Sequence, residues 1–187
     1  MATFNAGFMI DIYFFAHGTT LENEQHLLSG WNGTILSELG KMQAKELGIH
    51  LNPEIFPMIY SSDLPRALQT IELACGTLGV VHVDSRLREV NFGTFTSQSS
   101  SLVDKNWEQY IKNPFPEGES YMDVERRMYA FLLDLKKQNY KKIAIVAHEG
   151  PQLALDVLLN NKTWQQAMDE NWRNTGNWKP GWKYVLN

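Results

Sequence analysis

Three short apolar runs constrain this chain more than any other feature: Met9–Phe15, Phe56–Ser61 and Lys142–Ala147. Their hydrophobicity is continuous rather than alternating, which predicts strands buried on both faces. Each run is followed by polar or Gly/Pro residues and then by a helix-like pattern, the order expected of an α/β protein. A last run, Trp182–Leu186, predicts a final strand at the sheet edge. The fold expected is a three-layer α/β/α sandwich with a mainly parallel central sheet.

The intervening helices are legible from their periodicity. Ser37–Gly48 carries Leu39, Met42 and Leu47 on a partial stripe, with Gly48 as the C′ stop. Asp63 is placed to cap a helix with Pro65 in its first turn and Leu68, Ile71, Leu73 and Leu78 beyond. Ser120 and Asp123 resemble a capping box, ahead of a stripe of Val124, Met128, Phe131, Leu132 and Leu135. Pro151 reads as the start of a helix bearing Leu153, Leu155 and Leu158. Between Asn91 and Gly118 the periodicity fails. A Ser/Thr-rich stretch and two prolines there predict a functional lid of about 91–118 over the site.

Length and charge limit the function classes. At 187 residues the chain suits one well-buried core, so residues 1–187 are expected to form a single domain. A net charge of -4 gives no general attraction to nucleic acid or to an anionic membrane, so any bound anion needs a local cluster of positive charge. The lone Cys75 excludes an intramolecular disulfide framework and reads as a small core hydrophobe. The apolar stretch Ala6–Ala16 is interrupted by Asp11 and has no Lys or Arg before it. It reads as a buried strand rather than a membrane span, and the expected setting is cytoplasmic.

Three strand ends deliver polar groups: Ala16-His17-Gly18-Thr19-Thr20 with Asn23 behind it, Ser61-Ser62-Asp63-Leu64-Pro65-Arg66, and His148-Glu149-Gly150. Ligands of open α/β sheets sit outside the carboxyl ends of the strands, so these groups are expected to converge there. Taken singly, these residues have ordinary readings: His17 a hydrogen-bonded turn histidine, Arg66 a surface ion-pair partner and Glu89, further along, a solvated loop carboxylate.

Together these motifs resemble the histidine phosphatases, the phosphoglycerate-mutase-like superfamily, from about Met9 to about Leu158. His17, Gly18, Thr20 and Asn23 match that family's Arg-His-Gly-x-Thr start and its following Asn. Tyr60 to Thr70 resembles the second signature, in which the arginine, here Arg66, contacts phosphate. Leu87-Arg88-Glu89-Val90-Asn91-Phe92-Gly93 is similar to the segment with the acid–base carboxylate, and Ala147-His148-Glu149-Gly150 to that of the second histidine. Gly118-Glu119-Ser120 and a helix with Arg127 match a further family stretch.

The resemblance implies catalysis by His17, Glu89, Arg66 and His148, with Asn23, Thr20, Gly18 and Glu149 around the phosphate. His17 would form a phosphohistidine, Glu89 would act as acid and then base, and no cofactor or metal would be needed. The implied partner is a small phosphorylated substrate or inorganic phosphate, with neither nucleic acid nor membrane. The substrate and the oligomeric state are not readable. A mutase-type phosphoryl transferase is the alternative within the family, and a non-catalytic phospholigand-binding module the alternative outside it. Arg86 and Arg88 are expected in salt bridges, His26, His50 and His82 match no signature, and one of the six tryptophans could line a pocket mouth.

One position departs from the pattern. Ala16 stands where the family has arginine, so one guanidinium contact to the phosphoryl group is missing. Losing one transition-state donor costs about 10²–10³ in rate, which predicts an impaired site. Three explanations stand: an introduced change, compensation by another basic group such as Arg88 or a lid lysine, or a natural loss of catalysis. Glu149 is expected to turn away from the phosphate, which it would repel.

Overall fold

The computed structural model describes residues 9–76, 81–175 and 181–187. Strand β1 (Ile10–Ala16) leads through helices α1 (Leu21–Glu24) and α2 (Glu38–Leu47) to β2 (Ile59–Ser61). Helix α3 (Pro65–Cys75) then leads to β3 (Val81–Val83), and α4 (Ser101–Asp104) and α5 (Tyr121–Leu135) precede β4 (Lys142–Ala147). Helices α6 (Glu149–Asn160) and α7 (Trp164–Asp169) come before β5 (Gly181–Leu186). The strands form one sheet in the order β3-β2-β4-β1-β5. All neighbours are parallel except β5, which lies antiparallel on β1 at the edge.

Strand side chains alternate between two cores. Ile10, Ile12, Phe14, Ile143 and Ile145 meet Val124, Met128, Phe131, Leu132, Leu153 and Leu155 of α5 and α6. Phe15, Ala144, Val146 and Ile59 turn the other way, against Leu47, Leu51, Phe56 and Ile71. A period of two, with helices burying both faces, produces the continuous hydrophobicity read in the sequence. The result is the expected three-layer mixed α/β fold with a mainly parallel sheet.

Several local expectations need correction. Leu64, not Asp63, is the N-cap residue of α3, because Asp63 is engaged by Arg88. Helix α6 starts at Glu149 and takes Pro151 into its first turn, where a missing N–H costs nothing. Gly48 ends α2 in a right-handed conformation (φ -54°) rather than as a left-handed C′ residue. On the same helix Leu39 and Met42 are exposed, while Gly40, Ala44 and Leu47 face inward. The short, half-exposed β3 carried no apolar run and was not expected. The capping box of Ser120 and Asp123 and the buried stripe behind it are present as read. Leu78 lies outside the described residues.

The 91–118 segment is tied at its base: the Glu119 N–H donates to the Asn91 carbonyl (2.9 Å) and Asn91 N–H to the Glu119 carboxylate (3.0 Å). Phe115 is buried within it, stacked on Tyr110 at 3.9 Å and edge-on to Phe92 and Phe95. An aromatic cluster thus organises a stretch whose sequence shows no helical or strand period.

Candidate active site

Register brings the two histidines together. Ala16 of β1 pairs with Ala147 of β4, so the next residue on each strand, His17 and His148, leaves the sheet at the same level. The His17 N–H donates to the Ala147 carbonyl (3.1 Å), and the two imidazoles lie 5.0 Å apart. Strand β2 ends one place earlier, with Ser61 level with Val146, and the next residue's Ser62 Oγ hydrogen-bonds His148 Nε2 at 2.6 Å. Helices α2 and α3 cover one face of the sheet and α5 and α6 the other, so the β1–β4 boundary is where the connections diverge and a crevice opens.

The loop after His17 is gripped from beneath. Gly18 N–H donates to Thr70 Oγ1 (3.1 Å) and Thr19 N–H to Gln43 Oε1 (2.8 Å). A Cβ on Gly18 would stand 2.4 Å from the Gly40 carbonyl oxygen, and one on Gly40 would stand 1.9 Å from that of Thr19. Only paired glycines let α2 approach this closely. Thr20 caps α1 reciprocally with Asn23.

The His17 tautomer follows from its partners. Nδ1 lies 2.7 Å from the Gly18 carbonyl, which only accepts, so Nδ1 carries the hydrogen. Nε2 is then a bare lone pair, and the Arg66 Nε–H donates to it at 3.2 Å. Arg66 is buried, with Nη1 donating to the Asn32 carbonyl (3.1 Å) and Nη2 to that of Gly30 (2.8 Å). Of its five N–H groups, one on each terminal nitrogen stays uncommitted among the described residues. Burial, and next the Arg66 charge, hold the His17 pKa well below its ordinary value. His148 is lowered by the same causes, and burial brings Arg66 itself down to about 10.

Glu89 closes the far side. Its Oε1 accepts from Val90 N–H (2.9 Å) and Gly150 N–H (2.8 Å), and its Oε2 from Glu149 N–H (3.2 Å), at the start of α6. A Cβ on Gly150 would come within 2.7 Å of that carboxylate, so glycine leaves it room. Burial first, then the charge of Glu149, raise the Glu89 pKa. Its backbone is pinned as well: the Glu89 carbonyl accepts from Trp31 Nε1 (2.7 Å) and Arg127 Nη2 (3.0 Å).

A cavity of about 750 Å³ gathers these groups. Of the residues singled out in the sequence, His17, Asn23, Arg66, Glu89 and Glu149 line it, while Gly18, Thr20 and His148 lie behind its wall. Phe92, Ser100, Val103, Asp104 and Trp107 of the 91–118 segment line it too, with Trp172 opposite. Arg88 does not: it pairs with Asp63 and lies 4.8 Å over the Trp31 ring. Arg86 is held by Asp84 (2.6 Å) and Asp134 (2.7 Å). Sequence reasoning missed Asn171 and Arg173, which reach the cavity from the residue before, and from within, the 3₁₀ turn Trp172–Thr175 with no motif around it, and gave His26 no place there. Gln43 and Thr70 were also missed as supports, although Thr70 lies inside a recognised signature.

Fold and site together describe an α/β protein with a cation-bearing pocket at its strand ends, built around paired buried histidines. The chain belongs to the histidine phosphatase superfamily (branch 1), whose family model matches residues 12–178. It is 32% identical to a protein of Hydrogenobacter thermophilus provisionally named phosphoserine phosphatase 2, over 84% of each chain. It is also 32% identical to a protein of Yersinia pestis provisionally named phosphoglycerate mutase GpmB, over 66% of this chain and 62% of that one. Among solved structures, a mycobacterial glucosyl-3-phosphoglycerate phosphatase in complex with VO3 matches with a TM-score of 0.73 at 27% identity, over 86% of both chains. No helix among the described residues is long and apolar enough to cross a membrane.

Proposed function

We propose that this chain is a phosphomonoester phosphatase acting through a phosphohistidine on His17. The observation that carries the reading is the His17 lone pair on Nε2, fixed by the Nδ1–H bond to Gly18 and set in a cavity with Arg66 and Glu89. An imidazole kept neutral by burial is nucleophilic at neutral pH. On substrate binding, Nε2 attacks phosphorus and the bond to the leaving oxygen breaks. Glu89, whose raised pKa favours its acid form, gives that oxygen its proton. Water then attacks the phosphohistidine, loses a proton to the Glu89 carboxylate, and releases phosphate with His17 restored.

Arg66 spreads the charge on the equatorial oxygens through its two uncommitted N–H groups. His148 supports His17 from behind, ring to ring at 5.0 Å, and is itself held by Ser62 Oγ at its Nε2. Residues 91–118 act as the lid of one domain, and their apolar side chains select the leaving group. Ala16 makes the site slower than an arginine-bearing one. The relatives' names support phosphatase and mutase chemistry alike, and the mutase match spans the smaller share of its relative.

One observation favours the binding-module reading: the Arg66 Nε–H sits on the nucleophilic lone pair of His17. Hydrolysis of an aryl phosphate by the chain, His17→Ala and Ala16→Arg decides between them. The phosphatase reading expects slow turnover, loss of turnover with His17→Ala, a faster Ala16→Arg enzyme, and an acid-labile phosphoenzyme. Absence of turnover and phosphoenzyme in both the parent and Ala16→Arg leaves only binding.

A further inference from the structure

The missing guanidinium at position 16 leaves Arg66 as the single cation that the signatures place at the phosphate. The cavity contains another. Among its described lining residues, Arg66 and Arg173 are the only Lys or Arg. Arg173 comes from the 3₁₀ turn Trp172–Thr175, remote in sequence from every signature.

Its placement is built rather than incidental. Arg173 Nε pairs with the Glu149 carboxylate, whose other oxygen is held by Asn171 Nδ2. The Asn171 Oδ1 accepts the Arg173 backbone N–H at 3.0 Å, and the guanidinium lies 4.7 Å over the Trp172 ring. These contacts fix the Nε edge of the guanidinium, while neither terminal nitrogen makes a hydrogen bond among the described residues. Glu149 in turn is the first residue of α6, and its N–H donates to Glu89. Arg173 is therefore tied through one residue to the proposed acid–base group. Its charge also helps lower the pKa of His17, His148 and Arg66, as a nearby cation must.

We propose that Arg173 is a phosphate-binding residue that supplies, from the C-terminal side of the cavity, the second guanidinium that Ala16 cannot. Arg66 and Arg173 then hold the phosphoryl oxygens between two planar donors, as bidentate anion recognition favours. Glu149 and Asn171 are positioning residues for this arm, which explains a glutamate beside the second histidine: it faces Arg173, not the anion. The inference rests on the phosphatase reading only for where the phosphate sits.

The test is a two-by-two set of Ala16→Arg and Arg173→Met on the full chain, with Arg173→Lys as a milder variant and circular dichroism to verify folding. Two readouts are taken: calorimetric affinity for inorganic phosphate, and kcat/KM for an aryl phosphate. Arg173→Met should weaken phosphate binding at least tenfold and lower kcat/KM by about 10²-fold, the size of one lost oxyanion donor. Arg173→Lys should fall between. Ala16→Arg should restore far more in the Arg173→Met background than in the parent, because the two arginines serve the same oxygens. Unchanged phosphate affinity in both Arg173 variants overturns the proposal, as does a parent that binds no phosphate. Arg173-dependent phosphate binding without turnover or phosphoenzyme upholds it while refuting the phosphatase reading.

Discussion

His17 and His148 are each buried, and burial, with Arg66 second, holds both imidazoles neutral far below their usual pKa. Their folded pKa lies below the unfolded value of about 6.5, so above that pH neither state takes up a proton and stability is flat. Below it the unfolded chain binds protons that the folded chain refuses, and stability is lost as pH falls toward the depressed values. Stability measured by urea unfolding should therefore fall as pH is lowered from 7.5 toward 5.5, by no more than two protons' worth per pH unit, about 2.7 kcal/mol, with proton uptake by Glu89 offsetting part of it. His148→Gln should remove about half of that slope, and a flat profile would contradict the burial argument. At this scale the sequence was informative: His17, Arg66, Glu89 and His148 stand in short local signatures. Arg173 was invisible, because a guanidinium in a turn has no signature until the fold places it beside Glu149.

Elements position these residues more than they shape them. The loop Gly18–Thr19 is clamped between α2 and α3, through Gln43, Thr70 and the close approach of Gly40. Gly40→Ala drives a methyl into the Thr19 carbonyl and should cost about 1–3 kcal/mol by chemical denaturation, with a fall in kcat as His17 shifts. Met42→Ala, on the exposed side of the same helix, should change stability by less than about 0.5 kcal/mol and leave kcat alone. Helix existence was legible from capping and apolar period, most clearly in α5. Helix facing was not always so: Leu39 and Met42 look like a core stripe, yet α2 turns Gly40, Ala44 and Leu47 inward, since only small residues at 40 and 44 let its backbone approach the loop.

For the molecule as a whole, an anion at the cavity would link the sheet, α6 and the 3₁₀ turn that carries Arg173. Inorganic phosphate should stabilise the chain by RT ln(1 + [L]/Kd), about 2.7 kcal/mol at a hundred times Kd. Thermal unfolding with and without phosphate measures this, and the shift should shrink in Arg66→Met and grow in Ala16→Arg. A shift identical in all three chains would place the anion elsewhere.

Sequence by itself determined the layered α/β class, the family signatures and the anomaly at Ala16, because apolar period, capping and strand-end motifs are written in neighbouring residues. Tertiary structure alone decided which groups share the cavity. Strand register set His17 beside His148 across 130 residues of intervening chain, β3 formed because β2 offered it an edge, and packing brought Arg173 to the cavity that His17, Arg66 and Glu89 line. Such contacts depend on how distant segments dock, and no local pattern encodes that.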